Sequence, residues 1–314
     1  MINTSLAQDV FKDSGENISF VTLNLNRKNH TEEVEIIRIF ASYYPSILRS
    51  MRIRCNQDHL KVSIGFSYNA WIYLFPNSPI PKELTTFQGI SNTKYSMPGT
   101  PGDLFIHIRA DRMAVVYEVQ RQFTEILKSI TYVIDETKGF RYFEGRAIIG
   151  FVDGTEVPVG EEAINCSLID SKDDSFFTNG SYAFAQKWIH DMDKWNHMGQ
   201  KIQEKAIGRR KLDDLELLDK NKFENAHTLA SHLEENGIEE KIIRMNVPFS
   251  NPAHQETGTF FIGYSNHFSI IKKMLDQMID MEDFLLSFSK VLSGQLYFIP
   301  SFNNLEDINN GKIN

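Results

Sequence analysis

Residues 18–26 (ISFVTLNLN) alternate apolar and polar positions, as a half-buried strand does. Residues 32–51 instead repeat apolar positions at helical spacing, with Glu32 and Glu33 in the first turn. The stretch 60–75 reads as a strand with its continuation, 103–110 (DLFIHIRA) as a strand, and 111–130 as a helix. Between them, 76–102 is rich in Pro, Gly, Ser and Thr and reads mostly as loop. Two further strand-like runs lead to Asp153, the second being the apolar run 147–152. This order, β-α-β then β-α-β, predicts a ferredoxin-like split unit. The second half repeats the pattern. Residues 181–189 read as a strand passing into a helix, 240–249 and 258–265 as strands, 269–289 as a helix and 294–301 as a closing strand. The polar segment 194–227 is too long for an idle connector, so it either has a function or covers something. The predicted fold class is α+β, two ferredoxin-like halves facing each other, with the division placed at residues 155 and 156.

Composition narrows the function classes. The 314 residues are 41% hydrophobic and 24% charged, an ordinary globular balance. A net charge of −8 argues against nonspecific binding to nucleic acid or to an anionic membrane. Cys55 and Cys166 lie far apart with no CxxC, which gives no thiol metal site and points to a reducing compartment. The first 20 residues lack a basic region and an apolar core, and no apolar run approaches a bilayer span of roughly 20 residues, so the expectation is a cytoplasmic protein.

Candidate chemistry begins at GFVDGTEVP, residues 150–158. The run before it reads as a buried strand, and Asp153 follows directly. Asp-Gly is a common turn dipeptide, so Asp153 either shapes a turn or is a carboxylate held in an apolar pocket to move a proton. In the strand 240–249, Arg244 and Asn246 share one face, while Ile243, Met245 and Val247 share the other. That polar face is either solvated or meets a charge, and Asp153 is the obvious acid partner for Arg244. Nine histidines are present, none at the spacing of a zinc or di-iron site. His107, within an apolar strand, reads as a structural hydrogen-bonder on the side opposite Phe105. His227 stands apart because it ends the long polar segment.

GFVDGTEVP matches the GxxDG signature of the dye-decolourising peroxidases, a haem-binding family. Residues 97–112, 180–196, 203–217, 241–249 and 258–265 also resemble that family's compact bacterial subgroup, in family order. The resemblance covers roughly residues 18–304 and implies two ferredoxin-like halves with haem b between them. It implies a peroxidase that reduces hydrogen peroxide and oxidises small organic donors through a ferryl intermediate. The alternative on the same scaffold is a haem carrier, sensor or iron-release protein.

By the same resemblance, His227 is the proximal haem ligand, Asp153 the distal acid, Arg244 the distal arginine and Asn246 its polar neighbour. Arg209, Gly154 and Thr155 would contact the haem propionates, and Phe261 would wall the distal pocket. Arg244 is expected to keep Asp153 ionised by lowering its pKa against desolvation. The family's asparagine is replaced here by Val157, which removes a hydrogen bond from the loop. Ser287 takes the position of the acid that partners the proximal imidazole, with Asp283 one turn earlier, so a weaker partner for His227 is expected. Trp188, Trp195, Tyr142 and Tyr182 are candidates for passing electrons inward from the surface. The resemblance implies a homo-oligomer. Residues 303–314 are polar, unlike the apolar C-terminal peptide of encapsulin cargo, so no encapsulin shell is expected.

Overall fold

Eight strands carry the main sheet: β1 (Asn17–Leu25), β2 (Lys61–Phe66), β3 (Leu104–Ala110), β4 (Thr131–Phe140), β5 (Ser181–His190), β6 (Ile243–Asn251), β7 (Glu256–Ser265) and β8 (Gln295–Ile299). A ninth, short strand, Ser289–Val291, pairs with β5 outside the main path. In this computed structural model the described residues are 2–11, 13, 15–235 and 237–314. The order across the sheet is β6-β7-β5-β8-β2-β3-β1-β4, antiparallel at every step. Each half therefore orders its strands second, third, first, fourth, which is the ferredoxin-like arrangement the sequence pattern predicts. The halves join where β8 meets β2, at the pair Phe298 and Phe66. The outer edges return to each other at Gly139 of β4. A Cβ there would run into Val247 of β6 and come within 3.0 Å of the Pro248 carbonyl, so only glycine permits that approach.

Helix α1 (His30–Arg54) starts where Asn29 accepts a hydrogen bond from the Glu32 N–H, and Arg52 and Arg54 occupy its last turn. Helix α2 (Met113–Leu127) buries Val115, Val116, Val119, Phe123 and Leu127 against the N-terminal sheet. Helix α3 (Phe268–Asp280) buries Phe268, Ile271, Met274, Leu275, Met278 and Ile279 at helical spacing. The sheet separates two cores: Phe184, Trp188 and α3 lie on one side, and Ala185, Met245 and Ile262 lie on the other.

Several elements differ from the pattern. The run 147–152 is not a strand. Gly150 takes φ 93°, and the Gly150 N–H donates to the Ala147 carbonyl, closing a turn. Strand β5 stays extended through His190 instead of passing into a helix. Helix α3 stops at Asp280, and residues 284–287 form a separate 3₁₀ turn. The loop 76–102 holds a small hairpin, Gly89–Ser91 with Ser96–Pro98. His107 lies on the same face as Phe105, as alternate residues of a strand must, with ring centroids 6.5 Å apart. Its hydrogen-bonding role holds: Nδ1 lies 2.7 Å from the Tyr264 hydroxyl.

Candidate active site

Three neighbouring strands turn one face to a cavity of about 1130 Å³, counting its mouth. The register aligns Asn246 with Phe261, Phe261 with Gln186, and Thr259 with Trp188. All five line the cavity, together with Arg244 and His190. Residues of the other parity, Met245, Ile262 and Ala185, enter the opposite core. Helix α3 supplies the facing wall through Met274, Leu275 and Met278. The loop 147–156 forms a third side, so all the lining side chains come from residues 147–285. The cavity thus lies between the C-terminal sheet, its helical cover and the loop 147–156, which runs across the division between the two halves.

The loop is held from behind. Arg146 Nη1 donates to the carbonyls of Gly150 (3.0 Å) and Lys211 (2.8 Å), and Trp195 Nε1 donates to that of Ile149 (3.0 Å). Asp153 then meets β6. Because β6 ends the sheet order, the Asn246 N–H is free to donate to Asp153 Oδ2 at 3.1 Å, while Asn246 Nδ2 donates to Oδ1 at 2.8 Å. Beyond it, Gly154 takes φ 83°, and the Val157 N–H donates to the Gly154 carbonyl at 3.2 Å. The main chain therefore closes this turn without an asparagine at 157.

Burial pushes the Asp153 carboxyl above the ordinary aspartate range, and the two Asn246 bonds and Arg244 only partly oppose it. Arg244 does lower it, as expected, but desolvation is the larger effect and leaves the carboxyl raised. The ion pair that Arg244 makes is with Glu156, Nη2 to Oε2 at 3.7 Å. Arg209 follows Gly208, a left-handed helix cap at φ 96° where a Cβ would strike Thr228. The Arg209 guanidinium is already engaged with Glu156 (2.7 Å) and Asp214 (2.9 Å), and the Thr155 hydroxyl donates to Asp214.

His227 opens a short helix, His227–Ala230. The chain just before it is laced to the turn after α3: Asn225 Nδ2 donates to the Glu282 carbonyl (2.7 Å), and the Phe284 N–H donates to the Asn225 carbonyl (2.9 Å). That lacing sets His227 Nδ1 2.7 Å from Oδ2 of Asp283, a carboxylate with no solvent exposure. Asp283, and not Ser287, is therefore the imidazole's acid partner, because the chain leaves α3 at Asp280 and turns back sooner than a helix over 269–289 would. Ser287 Oγ is buried with no partner among the described residues. With Nδ1–H donating to the Asp283 carboxylate, Nε2 is left with no partner among the described residues, on a ring that lines the cavity.

His190 is buried, with Nδ1 2.7 Å from the Ser289 hydroxyl and Nε2 2.8 Å from that of Thr259. Desolvation pushes its pKa down to about 4. Below about pH 6.5 the unfolded chain takes a proton that the folded one refuses, so stability falls as pH drops from about 6.5 to about 4, by about 3 kcal/mol in all. Urea unfolding across that range should show the gap between wild type and His190→Gln narrowing by that amount towards low pH. A constant gap would contradict the assignment.

The residues present fit a haem. His227 offers an unpartnered nitrogen to iron. Leu275, Met274, Met278 and Phe261 offer apolar contact. Gln186 has its Oε1 fixed by Trp188 Nε1 (3.2 Å), and since indole only donates, its Nε2 is left buried and unsatisfied at the wall. Among the aromatic candidates, Trp188, Trp195 and Tyr182 are buried instead of lying at the surface, and Tyr142 is half-buried.

A histidine–carboxylate pair at the helical wall, with an acid, an amide and a guanidinium on the loop and sheet of the same cavity, fits a haem protein that handles a small polar ligand. The chain belongs to the Dyp-type peroxidases: the family's N-terminal domain matches residues 8–141 and its C-terminal domain residues 144–304. It is 37% identical to the dye-decolorizing peroxidase of Mycobacterium tuberculosis over 83% of this chain and 79% of that one. A crystal structure of a dye-decolorizing peroxidase from Bacteroides thetaiotaomicron superposes with a TM-score of 0.92, at 40% identity, covering 97% of this chain and 98% of that one. A variant of Rhodococcus jostii DypB solved in complex with heme matches at 33% identity and TM-score 0.90, covering 96% and 97%. The encapsulated DyP-type peroxidase of Mycobacterium smegmatis matches at 35% and 0.91, covering 96% and 98%. The protein is thus a haem-dependent peroxidase acting on peroxide and organic donors, and the carrier or sensor alternative is not favoured. Among the described residues no helix is long and apolar enough to cross a membrane.

Proposed function

We propose that the enzyme holds haem b in this cavity, with His227 Nε2 on iron and Asp153, Arg244 and Asn246 serving the peroxide. The observation that carries this reading is the joint placement of the His227–Asp283 pair and the Asp153–Asn246 pair on walls of one cavity. Bound there, the haem supplies the redox chemistry that peroxide reduction needs. Asp283 orients the imidazole and fixes the tautomer that leaves Nε2 facing the cavity. The remaining donor capacity of Arg209, with Gly154 and Thr155 at the wall, suits the propionates, and Phe261 excludes water from the peroxide face.

Peroxide must lose a proton from one oxygen and gain one on the other. Asp153 carries it: ionised on arrival, it takes the proton and returns it to the departing oxygen. Its raised pKa brings the carboxyl closer to working pH, where proton transfer both ways is easier. Asn246 holds the carboxylate in place, and Arg244 stabilises charge developing on the departing oxygen.

The experiment is a visible spectrum of the purified protein followed by addition of peroxide, with Asp153→Ala and Asp153→Asn alongside. Both variants should slow the peroxide-driven spectral change, by less than loss of Arg244 does, since a water chain can substitute for the acid. Activity that needs ionised Asp153 falls as pH drops through its raised pKa. The acid limb should therefore lie above the ordinary aspartate range and vanish in Asp153→Asn. An unmoved limb would remove Asp153 from the mechanism.

We further infer a cytoplasmic homo-oligomer. The acidic composition and two free, separated cysteines support the compartment. The exposed run Tyr132, Val133 and Ile134 on β4 supports self-association. Residues 302–314 fold back onto the protein, with Ile308 and Ile313 buried, which supports the reading that they do not serve as a shell-docking peptide.

A further inference from the structure

A second, smaller cavity of about 490 Å³ abuts the first, and both are lined by Glu156, Thr228, Ser231, Arg244 and Met274. The Glu156–Arg244 pair is thus part of the partition between them. Arginine is long and flexible, so a guanidinium at such a partition has two places to go. On one side lie Asp153 and Asn246. On the other lie the carboxylates of Glu239 and Glu240, which would attract a released cation even though Lys241 and His232 already share Glu239.

We propose that Glu156 is the positioning residue for Arg244, holding its guanidinium on the peroxide side of the partition. This rests on the peroxidase reading above. Glu156 is suited to the task because it is itself anchored. Its Oε1 accepts from Arg209 Nη1 at 2.7 Å, and Arg209 Nε donates to Asp214 Oδ1 at 2.9 Å and to the Asp214 carbonyl at 3.2 Å. The Arg209 and Asp214 side chains are 15% and 14% exposed, so the anchor is well shielded. Glu156 itself is 45% exposed and 3.7 Å from Arg244, a pair too open and too loose to contribute much to stability. Its effect is on where the guanidinium sits.

Position and charge make opposite predictions. If Glu156 only adds a negative charge beside Arg244, removing that charge tightens the binding of a small anion at the peroxide face. If Glu156 positions Arg244, removing it weakens that binding, because the cation is no longer there. The test uses the haem-loaded full chain and fluoride, followed by its shift of the visible spectrum. Glu156→Gln, which keeps the shape, should weaken fluoride about tenfold and raise KM for peroxide by a similar factor, with kcat for dye oxidation nearly unchanged. Glu156→Asp, which keeps the charge and loses reach, should fall between. Fluoride affinity that is unchanged or tighter in Glu156→Gln overturns the proposal. Arg244→Leu is the reference. If it binds fluoride as tightly as wild type, the role given to Arg244 fails, whatever Glu156 does. A wild-type protein that carries no haem would overturn the peroxidase reading itself.

Discussion

Replacing His227 with alanine should empty the site. The imidazole is the nitrogen ligand on offer at the cavity's helical wall, and its Nε2 is held ready by the Nδ1 bond to Asp283. Without it, the iron has no protein nitrogen, and binding falls back on apolar contact and the propionates. The variant also takes one hydrogen-bond donor from buried Asp283, which keeps only the Leu285 N–H, a cost of about 1–3 kcal/mol to the fold. Haem stoichiometry by absorbance should therefore be read beside thermal unfolding, with Asp283→Asn tested too, since that variant leaves the axial nitrogen in place. His227→Ala with full haem and an unchanged spectrum would end the assignment.

Arg244→Leu should lower the rate of reaction with peroxide by about 10²–10³, the usual effect of removing one preorganised donor from a site where charge develops. The loss should exceed that in Asp153→Ala, since water can relay a proton but does not replace a fixed cation. Stopped-flow mixing with peroxide measures both. A rate within a few-fold of wild type in Arg244→Leu, or a larger loss in Asp153→Ala, would reverse the order.

Arg244 and Asn246 are legible from parity alone: period two puts them on one face whatever lies opposite. The same parity on β5 points to Gln186, Trp188 and His190, but the apolar run before them reads as passing into a helix, and that hides the alternation. The Asp283 pairing is illegible for a different reason. Periodicity carries a helix forward, and what ends α3 is a backbone turn with Glu282 at φ 52°, which hydrophobic spacing does not encode. The loop 147–152 misleads in a third way. Its apolar Phe151 is buried, as a strand residue would be, yet it packs against Trp195 instead of lying in the sheet. Nothing local in sequence reveals that Glu156 and Asp214 each meet an arginine.

Met274 and Met278 form part of the wall around a site whose substrate is an oxidant. Peroxide converts a thioether to a sulfoxide, a polar and chiral group, and here it would stand within packing built for an apolar one. Each such event loosens helix α3 where it meets the cavity, one turn from the chain that carries Asp283. Sulfoxide formation at either methionine would thus be one route by which excess peroxide wears the enzyme out, and a route that a sulfoxide reductase could reverse.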